Sequence, residues 1–153
     1  MTTFTTCCEV RWADLDPNGH ARHTAYLDWA THNRMTAFAT CGLSLARFNA
    51  IGIGPMLFRE EADYLREVQE DDQVSVSFEV IGASVDWKHW RIRHRLARRD
   101  GVPCAVVVAR GAWFDLRARK VIPPPPEFAQ ACELLPRASD FEVLVSGRRP
   151  HAE

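Results

Sequence analysis

Val10–Arg34 reads V-R-W-A-D-L-D-P-N-G-H-A-R-H-T-A-Y-L-D-W-A-T-H-N-R, and this stretch decides the fold. Its first half is dense in turn chemistry. Asp14, Asp16, Pro17, Asn18 and Gly19 stop whatever strand precedes them. Its second half takes up helical spacing. A helix is predicted from His23 or Thr24 to about Cys41, with Gly42 as its C-terminal stop. Tyr26, Leu27, Trp29, Ala30, Ala37, Phe38 and Cys41 cover more than one stripe, so this helix is expected to be buried on most of its circumference. Asp28 and His32 are spaced i,i+4 and can pair on its polar side.

Thr2–Trp12, rich in Thr, Phe, Val and Trp, reads as a first strand. Leu43–Ala50 is a second short helical stretch, ended by Gly52, Gly54 and Pro55. Four further strands are predicted at Met56–Val68, Gln73–Ile81, Trp87–Ala97 and Pro103–Asp115. The turns between them are short, which implies antiparallel neighbours. The expected class is therefore α+β: an antiparallel sheet of about five strands with one long, buried helix. Pro123–Pro126 is a stiff break, and Glu127–Leu135 reads as a short amphipathic helix. One domain is expected over residues 1–136, with 137–153 a C-terminal tail, part of it disordered.

With 153 residues the chain needs neither disulfides nor a structural metal to fold. Its 19 Lys and Arg balance 20 Asp and Glu, so whole-protein charge gives no pull toward nucleic acid or an anionic membrane. Cys7, Cys8, Cys41, Cys104 and Cys132 are odd in number and form no C-x-x-C pair. Reduced thiols in the cytoplasm are the expected state. Met1–Glu9 lacks a basic region followed by an apolar run, so no signal peptide is expected, and no apolar run approaches a membrane span.

The loop Asp14–His23 holds two carboxylates and two further imidazole-bearing positions, His20 and His23, just before a helix N-terminus. Such an end presents free backbone N–H groups and a positive dipole. It can stabilise an oxyanion forming on a substrate carbonyl, beside a carboxylate acting as nucleophile or general base. Ordinary turn and cap roles for these Asp residues account for the same composition. Asp14, Asp16, His20 and His23 are also possible metal ligands, but their spacing matches no known cage, and no metal is expected.

The same stretch resembles the opening signature of the 4-hydroxybenzoyl-CoA thioesterase family, which includes the Tol-Pal-associated acyl-CoA thioesterases. Asp-x-Asp and a Gly are followed, seven residues after the second Asp, by Asn, His or Tyr, and three further on by an aromatic. Asp16, His23 and Tyr26 fall on those positions. Asp63-Tyr64, Asp71-Asp72, Gly101, Asp115 and Lys120 also fit, and the likeness runs from about Glu9 to Pro126. The resemblance implies a hotdog fold, with the sheet wrapped around the long helix. It implies homodimers or tetramers with active sites at subunit interfaces, and hydrolysis of an acyl-CoA thioester without a cofactor or metal. Carried over, Asp16 is the nucleophile or general base, His23 assists, and backbone N–H groups from Thr24 through Ala25 to Tyr26 polarise the carbonyl. This chain departs from many relatives at Ala21-Arg22, where Val-Asn is common, and at Thr31, where an acid is common.

Lys88, Arg91, Arg93, Arg95, Arg98 and Arg99 crowd one predicted strand and its flanks. A solvated basic face explains them; contact of Lys88 and Arg91 with the phosphates of coenzyme A is the functional reading. Arg59, Glu60 and Glu61 are candidates for the cleft's flank, and a solvated edge explains them as well. His94, on the apolar face, is expected to be a hydrogen-bonded core histidine. Two other functions compete with hydrolysis. Hydratases and dehydratases of acyl thioesters share the fold but resemble Asp-x4-His or a lone His at a helix start; with three residues between Asp16 and His20 and six between Asp16 and His23, the match is poor. A non-catalytic acyl-CoA-binding module would have no use for a carboxylate at Asp16.

Overall fold

A computed structural model describes residues 3–145. In chain order the elements are β1 (Phe4–Glu9), a 3-10 turn (Trp12–Asp14), α1 (His23–Thr40), α2 (Leu45–Ile51), β2 (Ile53–Tyr64), β3 (Gln73–Ser84), β4 (His89–Arg98), β5 (Pro103–Asp115), β6 (Lys120–Val121), α3 (Pro126–Cys132) and β7 (Arg137–Leu144). The strands form one seven-stranded sheet in the order β1-β3-β4-β5-β2, with β6 beside β5 and β7 beside β3. The α+β class is as expected; the strand number exceeds the five expected.

Alternation builds the core face. On β4, Trp90, Ile92, His94 and Leu96 are buried, while Arg91, Arg93 and Arg95 lie on the other side. β3 and β5 supply Val74, Val76, Phe78, Val107 and Ala109 to the same face. α1 packs on β1, β3 and β5. Its C-terminal half meets an aromatic cluster in which the Phe38 and Trp113 rings stand 5.7 Å apart. Its N-terminal half, through Tyr26 and Trp29, meets Val74, Val76 and Leu96. Gly111 is required opposite Trp90, because a Cβ there would come within 2.2 Å of the indole. Gly42, at φ +80°, turns the chain out of α1 as expected.

Burial of α1 differs from the expectation. Its buried residues, Ala25, Tyr26, Trp29, Ala30, Asn33, Arg34, Ala37 and Phe38, form one broad stripe, and Asp28, Thr31 and His32 face solvent. Polar Asn33 and Arg34 lie within the stripe, while Leu27 and Cys41, apolar by type, are only half-buried. Asp28 pairs with Arg22 at 3.4 Å rather than with His32.

The C-terminal expectation is corrected for residues 137–144. They form β7, which runs parallel to β3 over Val80–Ser84 and continues the edge that β1 occupies up to Phe78. The sheet is thus not wholly antiparallel. β7 lacks a two-residue apolar period, with Ala138 buried and Phe141 and Leu144 half-buried. It is held instead by ion pairs distant in sequence, Arg93–Asp140 at 2.8 Å and Arg91–Glu142 at 3.5 Å. The remainder of the expected tail, from residue 146, lies outside the described residues.

β2 ends at Tyr64, earlier than the expected Val68. The amides of Leu65 and Arg66 both donate to the Cys104 carbonyl, at 2.9 and 3.2 Å, so the ladder stops and the segment turns toward the start of α1. Among the described residues, no helix is long and apolar enough to cross a membrane.

Candidate active site

The loop between β1 and α1 is closed by its own backbone. Asp16 N–H donates to His20 O at 2.7 Å, and Gly19 N–H donates to Asp16 O at 3.0 Å, with Gly19 at φ +77°. Ala21 N–H donates to Val68 O at 2.7 Å, and His20 bridges Gln69. The Asp16 loop is thereby fixed against the segment that follows β2.

The two carboxylates have different surroundings. Asp14 is fully buried, and its oxygens accept from Arg11 Nη2 at 2.7 Å, Arg11 Nε at 3.1 Å and Arg11 N–H at 2.9 Å. The Arg11 guanidinium holds the Asp14 carboxyl below the usual carboxylate range. Asp16 is half-buried. Its Oδ1 accepts from the Asn18 amide at 2.8 Å and the His20 amide at 3.2 Å, while Oδ2 accepts from no described residue. Asp16, Ala21, His23, Tyr26, Tyr64, Leu65, Arg66 and Glu67 line a cavity of about 410 Å³.

α1 begins at this cavity without a side-chain cap. Its N-cap is Arg22, in extended conformation, whose guanidinium turns away to Thr24 Oγ1, Ala13 O and Asp28. Ala25 N–H donates to Arg22 O at 2.9 Å. The amides of His23 and Thr24 have no acceptor among the described residues. Of the candidate carbonyl-polarising groups, Thr24 is therefore free, Ala25 is committed to the backbone, and Tyr26 brings its ring to the cavity wall.

Arg59, Lys88 and Arg91 do not line this cavity. Arg59 and Arg91 come together elsewhere: both lie opposite Arg110 in register, so three arginines cross β2, β5 and β4 on the face away from the core. Acids accompany them, Arg59–Glu61 at 2.7 Å, Arg110–Glu61 at 3.6 Å and Arg91–Glu142 at 3.5 Å. Lys88 precedes β4 at this same end of the sheet.

Tyr64, Leu65, Arg66 and Glu67 were not picked out as site residues from sequence. The Asp63-Tyr64 pair was the available signal, but a strand running on to Val68 would have carried the later residues away. His94 is a core residue as expected: its Nδ1 is 2.8 Å from Asn33 Oδ1, and burial, aided by Arg34, lowers its pKa to about 3. Among the described residues no group of three or more His, Cys, Asp or Glu side chains is placed to hold a metal ion, and Asp14 is already committed to Arg11.

The family model of the thioesterase-like superfamily matches residues 10–132. The chain belongs to the thioesterase-like superfamily. It is a thioester hydrolase, and the match spans the Asp16 loop, α1 and the sheet from β2 to β5. Solved structures share the fold at low identity. A Staphylococcus aureus protein in complex with CoA superposes with TM-score 0.82 at 17% identity, covering 99% of this chain and 96% of that one. A DHNA-CoA thioesterase from Staphylococcus aureus gives 0.80 at 19%, covering 87% and 90%. A 1,4-dihydroxy-2-naphthoyl-CoA thioesterase from Synechocystis gives 0.77 at 20%, covering 87% and 98%. These likenesses establish the hotdog fold for this member of the superfamily. No curated protein matches its sequence significantly.

Proposed function

We propose that this protein hydrolyses an acyl- or aroyl-CoA thioester to free acid and thiol at the cavity beside Asp16. The observation that carries the reading is the placement of a half-free carboxylate at an uncapped helix start. Asp16 is held through Oδ1 by two backbone amides, its Oδ2 is free of described donors, and the unengaged amides of His23 and Thr24 begin the neighbouring helix. A carboxylate oxygen so presented can attack the thioester carbonyl, expelling thiolate and leaving an anhydride for water to cleave. It can equally take the proton of an attacking water. Either route builds negative charge on the carbonyl oxygen, where free amides at the positive end of a helix are most effective. His23 borders the cavity and is assigned to orient the carbonyl or the water.

CoA as the thiol is supported by the CoA-bound neighbour and by the CoA thioesters that other neighbours are named for. An extended pantetheine arm separates thioester from phosphates, so cations remote from Asp16 are suitable partners for the nucleotide. Lys88, Arg91 and Arg59 are assigned to that role. The reaction needs no metal or cofactor. The working unit is a homodimer or tetramer: the outer edge of β2 has no partner strand among the described residues, and it exposes Leu57 and Phe58. A single α1 at the centre of each sheet belongs to the same reading. The cytoplasm suits its five free cysteines. A panel of acyl-CoAs incubated with the protein and a thiol-reactive dye tests the proposal. Release of free thiol supports it; binding of acyl-CoA without release would make the protein a carrier, and altered acyl groups without release would make it a lyase.

A further inference from the structure

Two tyrosines cross-tie the start of α1 to the end of β2. Tyr26, on α1, donates its hydroxyl to the carbonyl of Arg66 at 3.4 Å. Tyr64, on β2, donates its hydroxyl to the carbonyl of His23 at 3.1 Å. Their rings meet edge to face, with centroids 5.2 Å apart and planes at 79°. Tyr26 is buried and packs on Trp29, so its place in the core is sufficient reason for it. Tyr64 is 48% exposed at the end of an edge strand, where packing alone asks for no aromatic residue.

What the Tyr64 hydroxyl holds is one particular peptide group. The carbonyl of His23 and the N–H of Thr24 belong to the same plane and point in opposite directions. In a helix the carbonyl points along the axis toward the C-terminus and the N–H toward the N-terminus. Fixing the His23 oxygen therefore fixes the direction of the Thr24 N–H, a first-turn amide without an acceptor among the described residues. A hydrogen bond accepted by the oxygen also polarises the peptide and strengthens its N–H as a donor.

We infer that Tyr64 is a positioning residue for the oxyanion site, aiming and polarising the Thr24 N–H, an inference that rests on the hydrolase reading of the same cavity. Tyr26 supports it by holding the facing segment at Arg66. The contribution is made as charge develops on the carbonyl oxygen, so it acts on kcat more than on KM.

Tyr64→Phe removes only the hydroxyl and keeps the ring against Tyr26. Its kcat should fall about 5-fold with KM changed less than 2-fold, the size expected of one neutral hydrogen bond. Tyr64→Leu removes the wall as well and should also raise KM. In the phenylalanine variant, amide hydrogen exchange followed by NMR should quicken at His23–Ala25 and stay unchanged through the rest of α1. Faster exchange along all of α1 would mean general loosening and would overturn the positioning role. An active wild type whose Tyr64→Phe variant keeps its kcat overturns the role alone. A wild type that releases thiol from no thioester overturns the hydrolase reading and this role with it.

Discussion

Asp14 and Asp16 share a loop, yet the carboxylate of Asp14 is enclosed by Arg11 while that of Asp16 leaves Oδ2 free at the edge of a cavity. Three donors from a single arginine consume Asp14. Its backbone oxygen is engaged too, accepting Arg22 N–H at 2.7 Å just before α1. Asp14 is thus bound into the loop's own bonding, whereas Asp16 keeps one carboxylate oxygen without a donor among the described residues.

The first prediction concerns Asp14→Asn. Loss of the charge-assisted bonds to a partner that is itself mostly exposed should cost about 1–2 kcal/mol of stability, read from urea denaturation. The surviving folded protein should keep kcat within a few-fold of wild type. The Asp14 carboxyl titrates below its unfolded value, so its contribution is complete above about pH 4 and is lost as pH falls through the folded pKa. The variant should lack that part of the acid transition. A large loss of kcat in a well-folded Asp14→Asn protein would assign the wrong carboxylate.

His94 makes a second pH-dependent contribution, of higher range. Its folded pKa of about 3 lies below the unfolded value of about 6.5, so the unfolded chain binds the proton first. Stability is therefore full above about pH 6.5 and declines below it, by up to about 1.4 kcal/mol per pH unit. His94→Gln can still bond Asn33 but cannot charge. Its urea midpoint should change less than that of wild type between pH 6.5 and 4.5; parallel curves would contradict the account.

Lys88 and Arg91 test the remote-cation assignment. Replacing both by Ala should raise KM for acyl-CoA several-fold with little change in kcat, because uniform binding is lost. The effect should be smaller for a thioester lacking the nucleotide, and should shrink with added salt. The existing Arg91–Glu142 pair partly neutralises one of these charges, which keeps the expected change modest. Equal losses on both substrates would exclude contact with the phosphates.

The free edge of β2 predicts assembly. Phe58 sits in the register shift between Leu57 and Arg59, and is 55% exposed. Size-exclusion chromatography with light scattering at micromolar concentration should show a dimer or larger species for wild type. Phe58→Lys, a charge on the edge, should shift the distribution toward monomer and lower activity together with it. A fully active monomer would contradict a site that needs two subunits.

Much of the candidate site is legible in the sequence because its proposed residues are local. Turn chemistry, a helix start and a carboxylate all fall between Asp14 and Tyr26, where spacing along the chain is nearly spacing in space. The far wall is not. Tyr64, Leu65 and Val68 suit a strand by residue type, and the capture of two amides by Cys104 O, distant in sequence, bends the segment into the cavity. Distinguishing Asp14 from Asp16 required the conformation of Arg11, since either carboxylate suits a turn. β7 was missed for a related reason: what holds it is Arg93 and Arg91 on β4, not a pattern of its own. Burial of α1 is narrower than its apolar residues suggest because Leu27 and Cys41, apolar by type, are only half-buried.

The most direct measurement of the central claim is steady-state thioester hydrolysis by Asp16→Asn, with circular dichroism to confirm folding. Asparagine retains an oxygen to accept the Asn18 and His20 amides at the Oδ1 position, so the loop should keep its shape. It removes the negative charge and the basicity that either attack or proton abstraction requires. The account predicts a folded protein whose kcat is lower by at least about 10²-fold. His23→Ala should be milder, as befits a residue that orients rather than bonds. A folded Asp16→Asn protein with kcat close to wild type would show that Asp16 is a turn residue and nothing more, and would contradict the account at its centre.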